Sequence, residues 1–518
     1  MRVVNVRRLR RRYPAGLATS AACLAALAAP AFAEGAAGDL DRSFGASGKV
    51  TSDFERGAEA TAVAFDSHGR IVAVGRRGGS EHFSLARYLS DGSLDSSFGA
   101  AGKVTTDLDP YWASSVAIDG QGRILVTGYH YGSPPRFLLA RYTEDGRLDP
   151  SFSQDGVVRT GFGRGAGAHA VQIDAQGRIV VAGETYDDHS AVYKGWGFAV
   201  ARYLSDGRLD DSFGVGGRAT TNLPDDQELA HSAAIDDQGG IVLAGTTSPS
   251  DFDLPGVELT RYLPDGSPDT SFGHSGVVRT YLDWASGADA VAIDANGRIV
   301  VAGFAQAHRS STSFALARYL PDGALDPTFG RDGVVKTPVV GLGGATAMAF
   351  DSRGRIVAAG NGYSTFTVAR YRPNGRLDPS FGGDGSVAMG RADGAFANSV
   401  AIDAKDRIVA AGTNRGESGR ARGDFMLARY FGDGPTVTIS GPARVRTAHR
   451  KARATFSFEA DEQASFECKV GRTAFQPCTS PYATRRLRLG RHRLEVRATD
   501  ALGSRDVTTK RFKVVQTP

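Results

Sequence analysis

Cysteine, methionine and tryptophan are scarce, with three, four and three among 518 residues. Cys23 lies in the first 33 residues, which leaves only Cys468 and Cys478 in "FECKVGRTAFQPC". Two thiolates without a well-spaced histidine pair do not complete a tetrahedral zinc site. No stretch after residue 33 has the 18 unbroken apolar residues of a membrane helix. No "GxSxG" or "HExxH" occurs, and no nucleophile has a base at recognisable spacing. The ten histidines fall at unrelated places in the repeats described below. A metal, a cofactor and an enzymatic activity are therefore not expected.

What is present first is an export signal. "MRVVNVRRLRRRYPAGLATSAACLAALAAPAFAEG" has a basic head with six arginines, a short alanine-rich apolar run from about Leu17, and Ala31-Phe32-Ala33 as a small-residue cleavage site. Arg11-Arg12 lacks the apolar continuation of a twin-arginine signal, and Cys23 lacks the upstream leucine of a lipoprotein site. A signal peptide over 1–33 predicts a secreted, extracellular or cell-envelope protein. In that oxidising setting Cys468 and Cys478 pair across one hairpin. Charge is divided as well. Residues 435–518 hold 17 Lys and Arg against 7 Asp and Glu, while residues 34–434 hold 38 against 49. Such a tail permits contact with a polyanion, although a merely solvated basic surface is the simpler reading.

The chain then repeats itself. "LDRSFG" at 40 returns as "LDSSFG" at 94, "LDPSFS" at 148, "LDDSFG" at 209, "PDTSFG" at 268, "LDPTFG" at 325 and "LDPSFG" at 377. Aligning these brings a "GxVxT" run, an "AVAID" run, "GRIVVAG" and "ALARYLSDG" into register, each seven times. A period of 52 to 61 residues points to a repeat architecture. "VAID" and "RIVVAG" are β-branched runs joined by a four-residue turn such as Ala175-Gln176-Gly177-Arg178. "FALARY" at 314–319 alternates two apolar faces, and "GVVRT" at 276–280 supplies a fourth strand.

Seven four-stranded sheets, apolar on both faces, predict an all-β fold: a seven-bladed β-propeller over about 34–434. A straight solenoid is the rival, but no capping segment is visible. The chain opens with a lone "GKVTS" at 48–52, and the last copy lacks a following strand of that type. The amino-terminal strand is therefore expected to complete the last blade. Small residues in "AVAID" suit the crowded axis with "GxVxT" outermost, although the opposite frame removes the strand exchange.

The unit "ID.xGRIVVAG...FALARYLPDG.LDPSFG.dG.V.T" resembles the delta-60 repeat propellers of bacterial secreted proteins, and more distantly the NHL-type blade. That family is defined by its repeat, so the resemblance implies a fold and bacterial export and supplies no catalytic residues. After Gly434, "FECKV...QPCTSPY...LGRHRLEVRATDALGS" resembles bacterial immunoglobulin-like domains of surface proteins. A small Ig-like β-sandwich over 435–518 follows, its disulfide joining neighbouring strands rather than the two sheets.

Each copy carries one "ARY" arginine (Arg87, Arg141, Arg202, Arg261, Arg318, Arg370, Arg429), an aspartate ending "AID" and an aspartate in "LDxSF". An arginine sharing a strand face with Phe and Leu needs a carboxylate, so a repeated structural Arg–Asp pair is expected. The "DG.LD" spacing, as in Asp322, Gly323 and Asp326, offers too few oxygens for calcium and reads as turn chemistry. Specialisation should lie where the copies differ. The insertions at 185–197, 246–256, 305–313 and 414–423 all fall between the same two strands, and Tyr186, Tyr193, Trp196 and His308 are the contact candidates. The expectation is a monomeric, non-catalytic binding or scaffold protein, its partner an extracellular protein or glycan. The alternative is a hydrolase or lyase with carboxylates at one mouth of the axis.

Overall fold

The computed structural model describes residues 36–54, 57–77, 82–108, 111–130, 134–187, 195–221, 226–249, 254–307, 311–338, 343–362, 365–389, 394–414, 423–433, 437–460, 464–500 and 505–517. They contain no helix, and none is long and apolar enough to cross a membrane.

Among the described residues the repeats form seven four-stranded antiparallel sheets. Sheet 1 runs Ala58–Phe65, Ile71–Arg77, Phe83–Tyr88, Lys103–Thr106, in chain order. Sheets 2 to 6 repeat that order, with first and last strands Tyr111–Ile118 and Val157–Thr160, Gly165–Ile173 and Arg218–Thr221, Asp226–Ile235 and Val277–Thr280, Ala285–Ile293 and Val334–Pro338, and Ala345–Phe350 and Ser386–Met389. Sheet 7 consists of Ala395–Ile402, Ile408–Asn414 and Asp424–Tyr430, and its fourth strand is Lys49–Ser52 from the other end of the repeats. Its register runs from Lys49 opposite Ala428 to Ser52 opposite Phe425. The strand exchange expected from the leftover "GKVTS" is therefore present.

Each third strand is buried on both faces, as Phe83–Tyr88 is throughout, because each sheet lies between two others. Phe83, Leu85, Ile124, Val126 and Leu138 form one core between sheets 1 and 2. The last core joins Ile71 and Ala73 of sheet 1 to Val409, Phe425 and Leu427 of sheet 7, so the ring closes. Each fully buried Val, Leu, Ile or Phe contributes about 1.5–3 kcal/mol. The first strands of successive sheets pack on one another around the ring, which places the "AVAID" strands at the hub.

The repeated "LDxSFG" is the joint between sheets. In Arg202, Nε donates to Asp210 at 2.7 Å, Nη2 donates to Ser212 at 3.1 Å, and Nη1 donates to the carbonyl of Pro264 in the next sheet's turn. Its guanidinium sits 4.6 Å from the centroid of Phe213. The same Arg–Asp pair occurs in all seven copies, and in the last it joins Arg429 to Asp41 at 2.7 Å across the whole repeat region. The expected structural pairing is thus observed, and these buried cations are occupied by the joint. The "ARY" tyrosine reaches back: Tyr203 bonds Thr160 of the preceding sheet's outer strand at 2.7 Å, and Tyr88 bonds Ser52 at 2.9 Å across the closure. The "AID" aspartates serve their own hairpins. Asp174 accepts the backbone N–H groups of Gln176 and Arg178 and the Arg178 Nε at 2.6 Å. The "DG" aspartates likewise cap turns, as Asp322 does for the N–H of Ala324.

From Val437 onward the chain forms separate sheets around a core of its own. A five-stranded sheet and a three-stranded sheet share Val437, Phe456, Phe458, Leu494, Val496, Phe512 and Val514. Arg444–Thr447 runs parallel to the carboxyl-terminal strand Arg505–Gln516. Cys468 and Cys478 are disulfide-bonded where Ala464–Val470 pairs with Gln476–Pro477, the expected hairpin staple.

Candidate functional site

Every first strand carries one extra residue relative to the second strand it pairs with. In sheet 3, Ala168 lies opposite Gly183 and Ala170 opposite Ala182, so His169 has no partner. The bulged residues in order are Thr61, Ser114, His169, His231, Asp289, Thr346 and Asn398. This bulge explains the glycine that closes each "VVAG". A Cβ on Gly183 would collide with the carbonyl oxygen of Gly167, and one on Gly245 with that of Leu229. A bulge re-aims its side chain. Here each bulged residue is partly exposed beside buried alanines on the hub strand.

In three sheets the bulge residue ties the hub together. Thr61 Oγ1 donates to the carbonyl of Ala113 at 2.7 Å, Thr346 Oγ1 to that of Ala397 at 2.8 Å, and Asn398 Nδ2 to that of Ala60 at 2.9 Å. Sheets 3, 4 and 5 instead hold two imidazoles and a carboxyl. His169 Nε2 lies 2.7 Å from Glu184 Oε2, and its ring centroid is 5.9 Å from that of His231 and 6.5 Å from that of Tyr129. Burial and the neighbouring His169 push the His231 imidazole down to about 4, so it is neutral at physiological pH. Burial alone pushes the Asp289 carboxyl up to about 6. Successive sheets thus present a His–Glu pair, a neutral imidazole and a carboxyl whose pKa burial raises. An imidazole held against a carboxylate beside a second, neutral imidazole is suited to orienting or exchanging protons. A different arrangement holds Glu258, whose carboxylate accepts from Arg279 at 2.8 Å while Glu228 lies 3.7 Å from the same guanidinium.

The expectation that the histidines occupy unrelated positions is corrected for this pair. His169 and His231 stand at the same place in consecutive copies, five residues before the repeated aspartates Asp174 and Asp236. That column reads Thr, Ser, His, His, Asp, Thr, Asn, and its uniform polarity directly after an alanine was the available signal.

Two of the four contact candidates meet directly. Tyr186 pairs in register with Trp196 where the second and third strands of sheet 3 end, and their ring centroids are 5.5 Å apart. With Tyr129, Pro135, Arg164, Gly165 and Ala166 they line a slot of about 200 Å³. Tyr129 is shared, since its ring lies over Gly167 beside Glu184 and leaves no room there for a Cβ. An aromatic slot at the sheet end and the polar hub cluster thus meet at one side chain. Tyr193 and His308 lie outside the described residues. The four insertions do leave the sheets at equivalent connections, between second and third strands.

Residues 68–98, 122–152, 177–213, 239–272, 295–329 and 354–381 match a family described as "Domain of unknown function (DUF5122) beta-propeller". The chain is a β-propeller repeat protein. The six matches each cover a hairpin turn and joint of the propeller. No curated protein matches the chain. Among solved structures it is similar to the extracellular domain of a hybrid two-component system from B. thetaiotaomicron, at 11% identity and a TM-score of 0.38, covering 91% of this chain. It spans 58% of the length of that domain. It is also similar to a polysaccharide lyase, PL25 ulvan lyase, at 12% identity and a TM-score of 0.40, covering 76% of this chain and 94% of that one. A third is xylan beta-1,4-xylosidase from Bacillus halodurans, at 10% identity and a TM-score of 0.31, covering 90% of this chain and 97% of that one. Likeness at this level says nothing of activity.

Proposed function

We propose that this chain is an exported bacterial protein of the delta-60 repeat kind, secreted or held at the cell envelope, that binds an extracellular glycan without turning it over. Residues 1–33 act as the signal peptide, 34–434 form a seven-bladed propeller, and 435–518 form an Ig-like spacer or adaptor. The observation that carries this reading is the slot of Tyr129, Tyr186 and Trp196 with Arg164 on its wall. Its volume of about 200 Å³ suits a single ring rather than a larger ligand, for which pockets run from about 300 Å³ upward. The walls of the slot are almost wholly apolar, and aromatic walls of this kind pack the apolar face of a sugar ring.

A second reading, a hydrolase or lyase, is favoured by the hub cluster. Asp289 with its raised pKa has the character of a general acid, and His169 beside Glu184 that of a base. Incubating the purified mature protein with a glycan array, and then analysing both the retained and the released sugar, separates the two. Retention of intact chains, lost in Trp196→Ala, supports binding. Shortened or unsaturated products that vanish in His169→Ala would overturn the non-catalytic reading. Absence of retention and products alike would remove both.

A further inference from the structure

A second surface lies on the carboxyl-terminal sheets, away from any repeated feature. Three neighbouring strands, Arg444–Thr447, Arg505–Gln516 and Gly490–Asp500, set Arg444 opposite Lys513 and Lys513 opposite Arg491. Two residues along, Arg511 faces Arg493. Alternation explains why all point outward: Phe512, Val514 and Leu494, the residues between them, are buried in the core. With Arg472 they line a groove of about 700 Å³.

The charges of this face are sorted. Glu495 takes Lys469 at 2.7 Å and Arg493 at 2.6 Å, while Glu467 takes Arg497 at 2.5 Å. Among the described residues no carboxylate lies within salt-bridge distance of Arg444, Arg472, Arg491, Arg511 or Lys513. Like charges directly opposite on adjacent strands are destabilising. A row of three, left uncompensated while the sheet's acids are spent elsewhere, is disfavoured by folding alone and is relieved by an anion. Strands spaced about 4.8 Å apart present these cations as a line, which suits a ligand with repeated charges better than one compact anion.

We infer that this face binds a linear anionic polysaccharide bearing repeated carboxylate or sulfate groups, with Arg444, Arg491 and Lys513 as its principal contacts. Nucleic acid is the other polyanion to weigh. Single strands are held by stacking on aromatic side chains; of the two rings of this groove Phe512 is only 4% exposed, and His492 is held by the carbonyl of Arg488 and packs on Phe512. The disulfide also suits an oxidising, external setting, where acidic glycans are the polyanions at hand.

The test uses the full mature chain with heparin, polygalacturonate, neutral dextran and duplex DNA as probes, titrated over a range of salt. Binding to heparin or polygalacturonate and not to dextran is expected. The double variant Arg491→Ser, Lys513→Ser should lower that affinity at least about tenfold and shift the slope of log K against log salt by about two. Arg485→Ser, Arg486→Ser removes the same charge from exposed positions outside the groove and should change affinity less than about twofold. Equal losses in the two double variants would reduce the effect to net charge and overturn the inference. DNA binding as tight as heparin binding, or no binding to either acidic polysaccharide, would overturn it as well. Matching thermal midpoints of the variants keep misfolding out of the comparison.

Discussion

Two positions in the same repeat teach opposite lessons. At the joint, seven copies keep arginine on aspartate and aromatic ring, and most of these side chains are buried, as in Arg202 with Asp210 and Phe213. At the hub bulge the backbone is equally constant, but the side chain changes from Thr61 to His169 to Asp289. The joint is fixed because every sheet-to-sheet contact poses the same packing problem. The bulge is free because its side chain has no partner in the hairpin register and is absent from the apolar cores between sheets. Where it holds Thr61, Thr346 or Asn398 it is a tie between neighbours, and where it holds His169, His231 and Asp289 it sets ionisable groups on successive sheets.

The contrast can be broken at the joint first. Deleting residues 34–57 removes both the outer strand of sheet 7 and the carboxylate partner of Arg429, so the ring opens at its closure. The cost is expected to exceed about 5 kcal/mol, since loss of one partner of a buried pair alone costs about 3–5 kcal/mol. An unchanged thermal midpoint would disprove strand closure. Next in size, Arg202→Ala strands Asp210 and should cost about 3–5 kcal/mol by denaturant unfolding. Replacing both by apolar residues, Arg202→Met with Asp210→Leu, should restore most of that loss. If the double variant were as unstable as the single, the ion pair itself would be a net stabiliser.

At the hub the sign reverses. The folded-state pKa of Asp289, about 6, lies above its ordinary value of 3.8, so the folded chain binds more protons between those limits. Stability therefore falls as pH rises from about 4 to 6 on this account. Asp289→Asn should be the more stable protein at pH 7, by up to about 3 kcal/mol before screening by water on the axis, and should match the parent below pH 4. His231 works the other way, its pKa of about 4 lying below the usual 6.5, so it destabilises the fold as pH falls through that interval. The paired variant Asp289→Asn with His231→Gln should flatten both slopes. Smallest of all, Thr346→Val removes one hub tie and should cost about 1 kcal/mol, with the ligand behaviour of the chain intact.

The joint was legible because seven copies of "LDxSFG" align without gaps and a buried arginine demands a carboxylate. The strand exchange was legible from an unmatched "GKVTS" at one end and its lack at the other. The slot was half legible: Trp196 and Tyr186 stand out in an insertion, but Tyr129 belongs to a repeated strand and shows its role only through the glycine beneath its ring. The hub column stayed hidden for a physical reason. A strand read as strict alternation assigns His169 a partner across the hairpin, whereas the bulge gives it none and sets its ring near His231 and Tyr129. The glycine ending "VVAG" records that bulge, but a glycine in a strand has several causes, and this one appears only when the opposing carbonyl is placed.

The most direct test is ligand behaviour at two equivalent bulges. His169→Ala and Thr346→Val should both fold, and each should be titrated with whichever glycan the parent retains or cleaves. If function resides in what varies around the axis, His169→Ala loses at least about tenfold in affinity or turnover, roughly 1.4 kcal/mol, while Thr346→Val stays within about twofold. Equal losses, or an unaffected His169→Ala, would contradict a role for the hub column and leave the slot of Tyr186 and Trp196 as the site.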